Sequence, residues 1–438
     1  MKKITVPVLL SAFTGIIISL SQISCTHATN AHYVSQAGND NNPGTKDKPL
    51  KSLQKINTIK FKPGDKIYLN GNETFSGTLL LTVNGSTDEP VIISSYGNGN
   101  ATIDGGNEEA INIRGSHFQL NNINTKGAGR KTGSTTNGIS LVEASHATVE
   151  NIKTEGFRKS GIELNSCKNI DIKNVYAADN GFCGIYITGS KEKRSKNILV
   201  KDCKAENNPG DPINLDNHSG NGILAGWSDS VVIDHCTATG NGWDMPRIGN
   251  GPVGIWVYES NYVTIQYCIS YRNKTAKGAK DGGGFDLDGG VTNSVIQYCL
   301  SYENEGAGYG LFQYAGASLW HNNIVRYCLS INDGVTTEGT GSIFIWNGSD
   351  DSVQLSDCIV HNNLVYSRHA PAVQFEQMSR NKNFSFYNNI FIGTGQIVNG
   401  PASGEKFRGN VWWNENNGKH SGDIKTWLHG PMQPTRKS

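Results

Sequence analysis

The sequence predicts an all-β chain wound as a parallel β-helix, a single-stranded solenoid with an N-terminal cap. The first observation is a repeat: KDCKAENN, DHCTATGN, QYCISYRN, QYCLSYEN, RYCLSIND and SDCIVHNN. Its cysteines are Cys203, Cys236, Cys268, Cys299, Cys328 and Cys358, spaced 29 to 33 residues apart. Five residues after each comes Asn208, Asn241, Asn273, Asn304, Asp333 or Asn363. Self-similarity at a nearly fixed period means stacked repeats. The second observation is the absence of helical periodicity: runs such as GIWVYES, YVTIQYCISY and NSVIQYCLSY are short and β-rich. The third is the 52 glycines, which together with abundant Asn suit turns needing positive φ.

The elements follow in order. Residues 1–28 read as an export signal: Lys2 and Lys3 precede an apolar run from Ile4 to about Leu20, too short to span a membrane. Two processing points compete. Thr26-His27-Ala28 is an acceptable cleavage site, and Ile23-Ser24-Cys25 resembles a bacterial lipoprotein box, which is slightly favoured although Leu20 lies farther from Cys25 than that pattern asks. Either route exports the chain, to the periplasm, the cell exterior or a lipid anchor on the outer membrane. That anchor at Cys25 is the one membrane contact expected. Residues 31–90 are assigned to the cap and first coils, 91–415 to the β-helix, and 416–438, polar in composition, to a C-terminal cap or tail.

Stacking places like residues about 4.8 Å apart in adjacent coils. The asparagines then satisfy one another's amides. The cysteines are expected to form a ladder of buried, reduced thiols, since none leaves the register as a disulfide staple would. The chain is near neutral, net +1 with 18% charged residues. A nucleic-acid partner, which favours a basic face, is not expected. The chain is read as a monomer.

One coil breaks the pattern of inert strands. In KDGGGFDLDGG, residues 280–290, alternation buries Phe285 and Leu287 and turns Asp286 and Asp288 outward. The same outward register carries Trp256 and Tyr258 on the preceding strand, and Phe312 and Trp346 on later ones. Aromatic rings exposed beside carboxylates make an open groove of the kind sugar rings stack in. Asp281 and Lys280 enter the same strand, Glu305 enters the next, and a long loop brings Arg247 nearby. The carboxyls Asp281, Asp286, Asp288 and Glu305 are expected to converge, as Ca²⁺ ligands or as acid–base groups. A solvated acidic edge and an ordinary aromatic face under loops are the plain alternatives.

The opening HYVSQAGNDNNPGTKDKPLKSLQKIN, followed by KPGDKIYL, resembles the start of the family 9 pectate lyases and their relatives. The resemblance implies a right-handed parallel β-helix acting on polysaccharide, by Ca²⁺-assisted β-elimination with a lysine base. The Asp-Asp-Gly-Trp-Asp-type stretch of those lyases has its nearest counterpart in EGAGYGLF, 305–312, which lacks the aspartates. GGGFDLD is also similar to a polygalacturonase stretch, with Gly283 where a catalytic Asp would stand. The expected function is pectate-lyase-like cleavage of a uronate-containing glycan, with Lys280 as base. A glycoside hydrolase using Asp286 and Asp288 (or Glu305) is the alternative, and a non-catalytic glycan-binding protein the third reading.

Overall fold

A computed structural model describes residues 30–336, 340–349, 355–376, 381–400 and 405–416. The export signal with Cys25, and all but the first residue of the expected C-terminal segment, lie outside the described residues. Among the described residues are thirty-six strands, paired in parallel, and one short helix, Leu53–Ile56.

The central coils are three-faced. One reads Asn221–Gly226, Ser228–Asp234 and Thr237–Thr239, and the next Val253–Tyr258, Asn261–Gln266 and Ile269–Tyr271. Each strand pairs with its counterpart one coil on: Ile223 with Ile255, Val231 with Val263, Thr237 with Ile269. Aliphatic side chains point inward and fuse into one continuous core. Positive-φ residues such as Asn293, Tyr267 and Asn332 recur at the corners. Asn takes that conformation more readily than most residues.

The asparagine column forms as expected through its first five members. Asn208 donates Nδ2–H to Asn241 Oδ1, Asn241 to Asn273 and Asn273 to Asn304, each at 2.9 Å. Asn304 donates to Asp333 Oδ1 at 2.8 Å. The eight described cysteines are buried and free. Cys203 through Cys328 make the expected column.

The sixth repeat departs from the sequence alignment. Leu329 pairs with Leu364, so Asn363, not Cys358, takes the place after Cys328. Its Oδ1 accepts the Cys328 N–H at 2.9 Å. Cys358 pairs instead with Asn323, on another face. The coil after Asp333 is longer than its predecessors, so the same local motif falls five residues out of step. Asn363 then begins a second amide ladder, through Asn389 to Asn410 at 3.0 and 2.9 Å.

Candidate active site

The site lies on the first face of the coils. Leu224, Trp256, Asp286, Gly310, Phe344 and Gln374 occupy one register column across six strands. Phe312, Trp346 and Glu376 are in register two residues further along. Phe285 and Leu287 are buried in the core, as alternation requires, and Asp286 and Asp288 point the other way into a cavity of about 760 Å³. Trp256, Tyr258, Lys280, Asp281, Asp286, Asp288, Phe312 and Trp346 all line it.

This face is covered, where the sequence predicted an exposed groove. Asp286 is 3% exposed, Trp256 5% and Phe312 8%. The cover is built by the inserted loops, which supply Asn217, His218 and residues 249–251 to the wall. Two arginines pin those loops. Arg130 Nη1 donates to Gly210 O at 3.0 Å and its guanidinium pairs with Asp244, while Arg158 Nε donates to Arg130 O at 3.1 Å. Trp256 is therefore a wall rather than a platform: its indole N–H is bonded to Asn221 Oδ1 at 3.0 Å.

Two expected members stand outside the cavity lining. Glu305 turns to the next loop, where its carboxylate accepts the Thr275 N–H at 2.9 Å. Arg247 folds onto its own loop, donating to Asn250 O at 2.9 Å. It still acts at a distance, favouring the ionised form of Asp281. With Glu305 turned away, the expected four-acid Ca²⁺ set does not assemble. No group of three His, Cys, Asp or Glu side chains converges as a metal set among the described residues. The residues present do not fit the ion.

The three aspartates differ in proton affinity. Burial, then the charges of Asp288 and Asp281, push Asp286 well above the ordinary carboxylate range. Its Oδ1 is buried with no hydrogen-bond partner. Burial raises Asp288 to about 7, with Asp281 and Glu259 adding to the rise and the Gly289 N–H opposing it. Burial raises Asp281 only to about 6, because the Gly251 N–H bonds Oδ2 at 2.7 Å and Lys280 and Arg247 favour the anion. Gly310 opens the space beside Asp286: a Cβ there would stand 2.9 Å from Asp286 Oδ1 and 2.8 Å from the Phe312 ring. The Lys280 ammonium lies over the Trp346 ring, 5.9 Å from its centre.

Sequence reasoning did not select Phe182 or Tyr314, which line the cavity together with His218 of the long loop. They belong to turns and insertions rather than to the repeating strands, so no column pointed to them.

The sequence model of the Pel9A-like right-handed β-helix region matches residues 32–255, and a right-handed β-helix region matches 213–391. The chain belongs to the Pel9A-like right-handed β-helix family. No curated protein matches it in sequence. Solved structures share the fold of this Pel9A-like chain at low identity. A GH136 lacto-N-biosidase from Eubacterium ramulus is 18% identical with a TM-score of 0.64, over 82% of this chain and 67% of that one. The A-module of the Azotobacter vinelandii mannuronan C-5 epimerase AlgE6 is 15% identical with a TM-score of 0.60, over 80% and 90%. Pectate lyase Pel9A is 14% identical with a TM-score of 0.53, over 81% and 78%.

Proposed function

We propose that the chain is a carbohydrate-active enzyme that hydrolyses a neutral glycan. The observation that carries this is one aromatic-walled cavity holding three carboxyl groups with separated proton affinities. Glycoside hydrolysis needs one carboxyl protonated and another ionised at the same pH. Asp288, near 7, is the general acid that protonates the departing sugar oxygen. Asp281 is the ionised partner, acting as nucleophile or as base toward water. Asp286 stays protonated on the cavity floor and donates a hydrogen bond to the bound sugar. The lining of the cavity argues for a neutral substrate: with Asp286 and Asp288 protonated, Asp281 and Glu376 still outnumber Lys280, the one Lys or Arg among the described lining residues. A polyuronate would meet more like than opposite charge. Export and a monomeric state remain part of this proposal.

The position of Lys280 in the same lining supports a second reading, β-elimination with the amine as base. A panel of neutral and uronate polysaccharides separates the two. Reducing ends without absorbance near 232 nm, on a neutral glycan and insensitive to EDTA, are expected. Both signals together on a uronate would establish the lyase, and neither signal would leave a binding protein.

A further inference from the structure

His218 lies in the loop between two repeats, is 7% exposed and lines the cavity. Its surroundings fix which ring nitrogen carries the proton. The Trp256 indole can only donate, so the Asn221 atom facing it at 3.0 Å is Oδ1. The same oxygen accepts the Val253 N–H at 3.4 Å. Asn221 Nδ2 therefore faces the other way, donating to Phe182 O at 3.1 Å and to His218 Nδ1 at 3.0 Å. An amide NH₂ offers no acceptor, so Nδ1 carries a lone pair and the imidazole proton sits on Nε2. Among the described residues no group accepts that proton. The ring is held between Phe182, stacked at 5.8 Å, and the edge-on Trp256 at 4.9 Å. The loop behind it is fixed as well: Ser219 Oγ accepts the Asp211 N–H at 3.0 Å, and the Gly220 N–H reaches Gly181 O at 2.9 Å.

We infer that His218 is a substrate-binding residue of this cavity, donating its Nε2–H to an acceptor oxygen of a sugar, a hydroxyl or ring oxygen. Asn221 and Trp256 are the positioning residues that set its tautomer. This rests on the reading of the cavity as a glycan site. Burial, and secondarily the charge of Arg247, lowers the imidazole to about 4. The ring is thus a neutral donor throughout the physiological range and takes no part in proton transfer. His218 lines the cavity, where a sugar oxygen can take the place of water on that donor. A free ammonium at the same place on an amino sugar offers no acceptor and is rejected.

The test uses the full chain labelled with ¹⁵N in its histidines. Without sugar, between pH 5 and 8, His218 is expected to show an unprotonated Nδ1 and a protonated Nε2, unchanged with pH. Cellotetraose, xylotetraose, mannotetraose and lacto-N-tetraose are then added singly. At least one is expected to move the Nε2–H resonance, and His218→Phe is expected to raise the KM of a cleaved tetrasaccharide about tenfold or more with kcat little changed. His218→Gln, which restores a donor, recovers part of the loss. An Nδ1–H tautomer, titration between pH 5 and 8, or no shift with any of the four overturns the inference. A shift without cleavage retains His218 and overturns the hydrolase. Cleavage without a shift does the reverse.

Discussion

Two stacks of buried polar side chains run through the same coils, and they are built oppositely. In the asparagine column every amide from Asn208 to Asn304 has a partner in the next coil. In the cavity, Asp286 Oδ1 and Trp346 Nε1 are buried without one. The repeat supplies like residues at like heights, and pairing along the axis is the easy outcome. The cavity forgoes it by breaking the repeat: its column runs Leu, Trp, Asp, Gly, Phe, Gln. Closed pairing stabilises the solenoid, whereas polar groups left open in a buried site remain available to a ligand.

Several substitutions would sharpen or break this contrast. Asp288→Asn and Asp281→Asn are each expected to lower kcat/KM by about 10²-fold or more, with thermal stability unchanged or raised. Full activity in both variants, measured on whichever glycan the panel identifies, removes the catalytic assignment. On the closed stack, Asn273→Ala removes the acceptor of two Asn241 protons, the backbone N–H and one Nδ2–H, while the other Nδ2–H keeps Ala205 O. A loss of about 2–4 kcal/mol in denaturant unfolding is expected, with little change in activity per folded molecule. A loss below about 0.5 kcal/mol would mean that the ladder carries no stability. Burial holds the Asp286 carboxyl protonated more tightly in the folded chain than in the unfolded one, where an ordinary aspartate titrates near 3.8. Its favourable contribution is complete below 3.8 and is lost as pH rises toward the folded value. Asp286→Asn should therefore stabilise by an amount that grows as pH rises from 4 to 8. Equal gains at pH 4 and pH 8 would contradict the buried-acid description. The smallest effect is chemical: a thiol reagent should leave the eight described cysteines unmodified until the chain unfolds.

The solenoid was legible because its signal is written repeatedly. Five copies of the Cys and Asn/Asp pair fell in their true columns, and alternation placed Phe285 inside and Asp286 in the cavity. The sixth copy misled because a motif of eight residues carries no record of the length of the coil before it. Cys358 and Asn363 match the pattern locally while occupying other columns. The site was legible to the same depth. Residues on strands, Trp256, Tyr258, Phe312 and Trp346, were brought to the cavity as read. Residues in turns were not decided by the repeat: Glu305 turned to Thr275, Arg247 folded on its own loop, and His218 entered the wall. The cover over Asp286 and Trp256 comes from those same insertions, which is why an open groove was expected.

The register of the first face bears on how such a site can change. The cavity draws one strand's worth of wall from each coil between Cys183–Thr188 and Val373–Glu376. Each coil contacts chiefly its two neighbours, as in any stacked repeat. Duplicating one coil in the gene would lengthen the cleft by about 4.8 Å and leave the contacts on either side as they were. Deleting one would shorten it equally. The length of the cavity thus becomes an integer, adjustable in a single recombination event, while the carboxyls of Asp281 and Asp288 stay within one turn of the chain.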